Sequence, residues 1–550
     1  MLFNSIEFIC VFLPITLIGY FALGRLGGPS WAMSWLVAAS MTFYGWWKSE
    51  FLWLLIASVT LNYAISVALR KNPNRWVLAV GIAANLLALG WFKYSGFLAE
   101  AVNSMFGAGI PVPHVVLPLA ISFYTFQQIA YLVDVHDGLT QEPNFLRYAL
   151  FVTFFPQLIA GPIVHHKEVL PQFERPETYR PNLDNLTIGL TVFAIGLFKK
   201  VVLADSFSPT VQAMYSAAAE GIMPSAFEAW IGSFSYALQL YFDFSGYSDM
   251  AVGLGLMFGI RLPINFASPY KAASIIEFWT RWHITLTRFL TTYLYFPITK
   301  SLTERRMRAN KPLLQSSAPK LAPFVVLLVV PTLLTMALSG IWHGAGWQFL
   351  VWGALHGVML IINHGWRHLR QSLGIGQSFG PMFRPISVLV TFTAVTVSMV
   401  FFRADSVETA MTVLQGMAGL KETPPAVIAA VQVGSEALAP SASVDATLLD
   451  RIFRILMRIQ ERLTWSSTQL VLLGLAIVWL LPNTYEWLGA FFAKKKKASR
   501  AASPSSSRWS PAAWRWRPAP LEGVAVGILL CIALVEAFSA MPTEFLYFTF

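Results

Sequence analysis

Apolar residues fall in blocks of bilayer-crossing length, and the basic residues collect in the short stretches between them. A spanning helix needs about 20 predominantly apolar residues. The first block, Phe8 to Leu23, is followed by Arg25, and further blocks lie near 31–47, 50–69 and 76–95. Met1 to Glu7 carries no Lys or Arg, so the first block reads as an uncleaved helix with its N-terminus outside the cytoplasm. Arg70, Lys71 and Arg75 then mark a cytoplasmic loop. From 111 to 300 the blocks are less regular, broken by Pro118, Pro156, Pro162, Pro263 and Pro269. Interrupted helices at membrane depth are tolerated where they are buried in protein or line a cavity, so this region is expected to form part of a site. Regular blocks return near 321–340, 347–365 and 385–403, with Arg367 and Arg370 at a second cytoplasmic turn, and a final pair lies near 468–487 and 520–538.

Composition agrees with this pattern. Of 550 residues, 56% are hydrophobic and only 12% charged, and the mean hydropathy is +0.57. The chain reads as an all-α polytopic membrane protein. Its formal net charge of +11 sits in short loops, which is the positive-inside pattern and no sign of nucleic-acid binding. Cys10 and Cys531 lie in apolar blocks at opposite ends, outside any CxxC or Cys/His cluster, so neither a disulfide framework nor a cysteine-bound metal is expected.

Three parts follow: a core bundle over 1–403, an extracytoplasmic insert over 404–466, and a C-terminal pair of spans over 467–550 around a basic loop at 488–519. In the insert, Leu448 to Trp465 sets Leu449, Ile452, Phe453, Ile455, Leu456 and Ile459 opposite Arg451, Arg454, Arg458 and Arg462. That amphipathic stripe suits a membrane surface, a partner, or the bundle itself. The basic loop holds Lys494 to Lys497 and suits anionic lipid.

The candidate chemistry centres on Ser339-Gly340-Ile341-Trp342-His343-Gly344-Ala345-Gly346-Trp347, continuing to Trp352, His356 and Gly357. An ionisable residue at membrane depth is a functional hypothesis by default. Imidazole can take a proton from an alcohol and return it near neutral pH. A second histidine, His283, lies in Trp279-Thr280-Arg281-Trp282-His283-Ile284-Thr285, where Arg281 and His283 would suit an anionic group. Asp243 and Asp249 sit in an aromatic stretch, where buried carboxylates need partners and orienting a histidine is one such task. No HExxH motif occurs, and on one continuous helix His343 and His356 would stand about 20 Å apart. No metal site is expected, and His165 and His166 read as a loop pair without chemistry.

Several motifs in order resemble the membrane-bound O-acyltransferase (MBOAT) family, and within it the branch that acetylates bacterial polysaccharides such as alginate. They are Ser122 to Gln127, Phe155 to Pro162, Gly196 to Lys200, Phe242 to Met250, Phe278 to Thr287, Ser339 to Gly357, Phe402 to Asp405 and Tyr547 to Phe550. The resemblance implies a bundle of roughly a dozen transmembrane and re-entrant helices around a funnel or tunnel. It implies an inner-membrane enzyme with an essential His343, His283 as second contributor, and no bound cofactor. Trp342, Trp282, Arg281, Asn265, Asp243 and Asp249 would be substrate-binding. Acetyl-CoA on the cytoplasmic side would supply the acyl group. The acceptor would be an extracytoplasmic polysaccharide, reached directly or through a periplasmic relay protein. His343 would act as general base, with Asn265, Arg281 or a backbone N–H at the oxyanion. Phe296-Pro297-Ile298-Thr299-Lys300 departs from the family's usual pattern and weakens any claim on alginate itself. Rival readings are a teichoic acid D-alanyl transferase fed by an acyl carrier protein, a transporter, and a scaffold for a periplasmic acetyltransferase.

Overall fold

The computed structural model describes residues 1–140, 142–314, 321–373, 381–420, 466–489, 520–539 and 543–546. Among the described residues every regular element is a helix. Eight helices among the described residues are long and apolar enough to cross a membrane: Glu7–Leu26, Ser49–Lys71, Arg75–Phe106, Leu183–Ala219, Leu321–His343, Trp347–Ser372, Arg384–Arg403 and Pro520–Ser539. The all-α polytopic expectation therefore holds. The span near 76–95 is longer than expected because a π-helical turn, Gly90–Tyr94, carries the helix on to Phe106 instead of ending it. The block near 468–487 is split into Ser467–Leu480 and Thr484–Trp487. Leu481 is extended there, as the residue before a proline tends to be.

The middle of the chain is broken as its prolines imply, with two exceptions, the span Leu183–Ala219 and the helix that follows it. Ala226–Met257 is an unbroken helix of 32 residues, capped at its start by Ser225 and Glu228 and buried on every face beyond its first turns. A helix apolar all round belongs in the interior. This central helix packs along Leu183–Phe198 through a glycine seam. A Cβ on Gly196 would meet the Gly246 carbonyl oxygen at 2.5 Å, and one on Gly253 would meet that of Gly189, also at 2.5 Å.

The seam brings two motifs together. Lys199 Nζ donates to Asp249 Oδ2 at 2.6 Å, and Lys200 Nζ lies 2.8 Å from both Asp243 Oδ1 and Asp205 Oδ1. Thr484 donates to the same Asp249 oxygen. The segment Thr543 to Leu546 joins this lock: Leu546 N–H donates to Asp243, Lys200 reaches the Glu544 carbonyl, and Phe545 is buried edge-on to Tyr247. Asp243 and Asp249 therefore pair with lysines and hold chain segments together; neither orients a histidine.

In the 404–466 insert, Val407–Met417 packs against the central helix, with Trp230 Nε1 donating to the Met417 carbonyl at 3.1 Å. The amphipathic piece at 448–465, the basic loop and Tyr547 to Phe550 lie outside the described residues.

Candidate active site

His343 is the last residue of Val330–His343, and Trp347–Ser372 begins after an extended turn at Gly344 to Gly346. The chain thus reverses between His343 and His356, and the single continuous helix weighed from spacing does not form. Close packing forces the glycines. A Cβ at Gly340 would sit 2.2 Å from the Phe349 carbonyl oxygen, one at Gly353 2.3 Å from that of Met336, and one at Gly344 2.1 Å from the Phe349 ring. Here glycine admits the partner helix, at distances no side chain tolerates.

The reversal places both imidazoles of this hairpin against Trp352, with ring centroids 5.1 Å away for His343 and 4.8 Å for His356. His356 is spoken for. Its Nδ1 accepts from Trp279 Nε1 at 3.3 Å, which leaves Nε2 to donate toward Ser398 Oγ at 2.9 Å. It supports the aromatic wall behind His343.

His283 arrives from another direction. It begins Ile284–Leu290 in a left-handed conformation, φ 42° and ψ 53°, uncommon for a residue with a Cβ and concentrated at functional sites. Backbone bonds from Ala267 N–H to Arg281 C=O and from Ile284 N–H to Asn265 C=O, both 2.9 Å, hold the turn. The Asn265 side-chain oxygen accepts from Thr285 N–H at 3.3 Å and Thr285 Oγ1 at 2.9 Å, and lies 3.1 Å from His283 Nδ1. An oxygen already receiving an amide proton is an acceptor, so His283 carries its proton on Nδ1 and a lone pair on Nε2. That Nε2 is buried with no hydrogen-bond partner among the described residues. Asn265, whose Nδ2 donates to Ser248, is thereby a histidine-orienting residue.

His283 and His343 line one slot with Leu240, Phe244, Trp282, Trp352, Met399 and Phe402, with a volume of about 20 Å³. That is room for about one water-sized group between two imidazoles in an apolar shell. Trp342 packs beside both rings, with centroids at 4.8 Å from His343 and 6.5 Å from His283. Arg281 turns away to Glu277 at 2.9 Å and the Ala267 carbonyl at 3.0 Å. The fold thus gathers His343, His283, Trp282, Trp342 and Asn265, while Arg281, Asp243 and Asp249 serve structure elsewhere.

A larger cavity of about 300 Å³ is lined by Gln127, His165, Glu168, Thr285, Arg288 and Tyr293 among others. One of its lining residues, Thr285, is hydrogen-bonded to the Asn265 oxygen that also meets His283. Beside it stand His165 and His166, which are no inert loop. They open the helix His166–Phe173 through a capping box with Glu168. Their Nε2 atoms lie 2.9 and 2.7 Å from Asp134 Oδ2, and Tyr293 donates to the same oxygen at 2.8 Å. His165 Nδ1 accepts from Lys167 N–H at 3.3 Å, so its Nε2 is a donor to Asp134. Hydrogen bonds account for this cluster. Burial pushes the His166 imidazole below its usual range, with Asp134 opposing but not reversing the shift.

Sequence reading missed Lys93 and Tyr94. Lys93 Nζ donates to the carbonyls of Trp342 at 2.7 Å and His343 at 3.0 Å, and Tyr94 OH to that of Ile341 at 2.8 Å. The available signal was a lysine inside an apolar block, on the same rule that singled out His343.

Comparison with known proteins adds an independent line. The model of the MBOAT, membrane-bound O-acyltransferase family, matches residues 139–310, a stretch that includes Asn265 and His283. The chain is 40% identical over 450 residues to the peptidoglycan O-acetyltransferase of Helicobacter pylori, covering 76% of this chain and 80% of that protein. It is 35% identical over 459 residues to the probable alginate O-acetylase AlgI of Pseudomonas aeruginosa, covering 80% of each. A more distant likeness, 25% over 302 residues, is to the teichoic acid D-alanyltransferase of Bacillus subtilis, covering 54% of this chain and 70% of that one.

Proposed function

The chain belongs to the membrane-bound O-acyltransferase family, and from that premise we propose that it carries acetyl groups from a cytoplasmic thioester, acetyl-CoA, to hydroxyls of an extracytoplasmic polysaccharide. The polysaccharide is reached directly or through a periplasmic relay protein, and the enzyme resides in the bacterial inner membrane with both termini outside the cytoplasm. The names of the relatives support a polysaccharide acceptor such as peptidoglycan or alginate. The observation that carries the chemistry is the slot shared by His283 and His343.

In this reading His343 takes the proton of the acceptor hydroxyl as its oxygen attacks the thioester carbonyl. The carbon–sulfur bond breaks, the ester forms, and the proton passes from His343 to the departing sulfur to give free CoA. His283, with its lone pair held on Nε2, accepts the hydrogen bond of the new thiol. The slot suits the reacting atoms alone, so the bulk of the donor lies elsewhere. We assign its approach to the larger cavity, whose lining residue Thr285 shares the Asn265 oxygen with His283.

The test is release of CoA from labelled acetyl-CoA by purified protein with a soluble glycan acceptor. The unmodified chain should turn over, and His343→Ala should lower kcat by about 10²- to 10⁴-fold, the usual worth of a general base. Equal rates in both proteins would sink the reading. Turnover only with an acyl-loaded carrier protein would transfer it to the D-alanyl type, whose member in Bacillus subtilis is the more distant relative.

A further inference from the structure

We propose that Lys93 and Tyr94 are positioning residues that fix His343 by clamping the end of its helix; the inference rests on the acyl-transfer reading for its kinetic test alone. The last carbonyls of an α-helix have no partner within it. In Val330–His343 they belong to the catalytic turn itself, because the helix stops on His343 and Gly344 is fully extended, φ −158° and ψ 155°. Many helices close such an end with a left-handed glycine whose N–H turns back. Here the chain must leave straight so that the hairpin can close through Gly344 onto Phe349.

The carbonyls of Ile341, Trp342 and His343 are met from outside, one by Tyr94 and two by Lys93. Three bonds onto three consecutive residues fix both the height and the rotation of that turn, and hence the direction of the His343 side chain. Lys93 and Tyr94 reach the same helix end from the π-helical turn Gly90–Tyr94, an element often found at functional sites.

The chemistry of Lys93 supports a dedicated role. No carboxylate pairs with it among the described residues, so its ammonium is held by carbonyl oxygens and by the negative end of the helix dipole. A lysine in a membrane span that only needed to be neutralised would pair with an acid, as Lys199 and Lys200 do. This one is spent on the backbone of the histidine turn.

The experiment compares native protein with Lys93→Met, Lys93→Arg and Tyr94→Phe, each taken only as a monodisperse preparation. Two readouts are used: CoA-release kinetics, and the rate at which diethyl pyrocarbonate modifies His343, followed by mass spectrometry. A displaced base loses turnover without losing donor binding. Lys93→Met should lower kcat about 100-fold with KM for acetyl-CoA within about twofold of native. Lys93→Arg, which keeps charge and donors, should recover most of that loss, and Tyr94→Phe should cost about fivefold, as for one neutral hydrogen bond. His343 should be modified at a different rate in Lys93→Met. A folded Lys93→Met with kcat within about threefold of native, or losses shared equally by kcat and KM, would overturn the clamp. If native protein releases no CoA, the proposed function fails and the clamp stands or falls on the labelling rate, where an unchanged rate refutes it.

Discussion

Two of the polar regions buried among the described residues are built on opposite terms. In the lysine–aspartate lock, every charged group meets a partner of opposite sign: Lys199 with Asp249, and Lys200 with Asp243 and Asp205. In the histidine slot, Asn265 fixes one nitrogen of His283 while the other is buried with no hydrogen-bond partner among the described residues. A buried polar atom left unpaired costs stability, about 1–3 kcal/mol, and a part in chemistry is one reason to retain it. A filled network holds chain segments together; a slot with one open lone pair can receive a proton. The contrast explains why dense motifs of similar aromatic character have different duties.

The lock and the slot should respond in opposite ways to substitution. Lys200→Met should strip the partner from a fully buried Asp243 and destabilise the fold by about 3–5 kcal/mol. Thermal unfolding in detergent and the yield of monodisperse protein would record it. His343→Ala should do the reverse, lowering turnover by about 10²- to 10⁴-fold while moving the unfolding midpoint little. A Lys200→Met protein as stable as native would mean the lock is not a lock.

Next in size is Asn265→Ala. It removes the acceptor that sets the His283 tautomer and leaves Thr285 N–H without its side-chain partner. We expect kcat to fall by about 10- to 100-fold, on the scale seen when the partner that orients a functional histidine is lost. The nitrogen chemical shifts of His283 should show the proton redistributing between Nδ1 and Nε2. A native-like tautomer in the variant would return Asn265 to a packing role.

The smallest expected effect lies in the third cluster, around His166. Its folded imidazole binds a proton less readily than the unfolded one, because it is buried. The unfolded state therefore takes up more protons as pH falls through about 6.5, and stability declines in that direction. The unfolding midpoint should drop between pH 7 and pH 5, and His166→Gln should flatten that slope. An equal slope in the variant would assign the pH dependence to other groups.

Much of this was legible beforehand because it rests on local pattern. Apolar blocks of spanning length marked most of the spanning helices, though not Leu183–Ala219, and Pro118, Pro162 and Pro263 marked breaks in the middle of the chain. His343 and His283 stood out as ionisable groups among tryptophans. Asp243 and Asp249 were visible as buried carboxylates in need of partners, but a partner is a tertiary fact. Theirs proved to be Lys199 and Lys200, joined across the seam at Gly196 and Gly246. Arg281 looked like an anion ligand by adjacency to His283, yet the left-handed turn at His283 sends the two side chains apart.

Hydrophobic length and a rare ionisable residue in apolar surroundings need no knowledge of neighbours, so the all-α membrane class and the two candidate histidines could be read from the chain alone. Only the tertiary structure decided that these histidines, sixty positions apart by number, share one slot. The same holds for Asn265 setting the tautomer of one and for Lys93, from a distant helix, ending the turn that carries the other. The physical reason is that hydrogen-bond partners and close approaches depend on which surfaces the bundle brings within about 3 Å, and no periodicity along the chain encodes that distance.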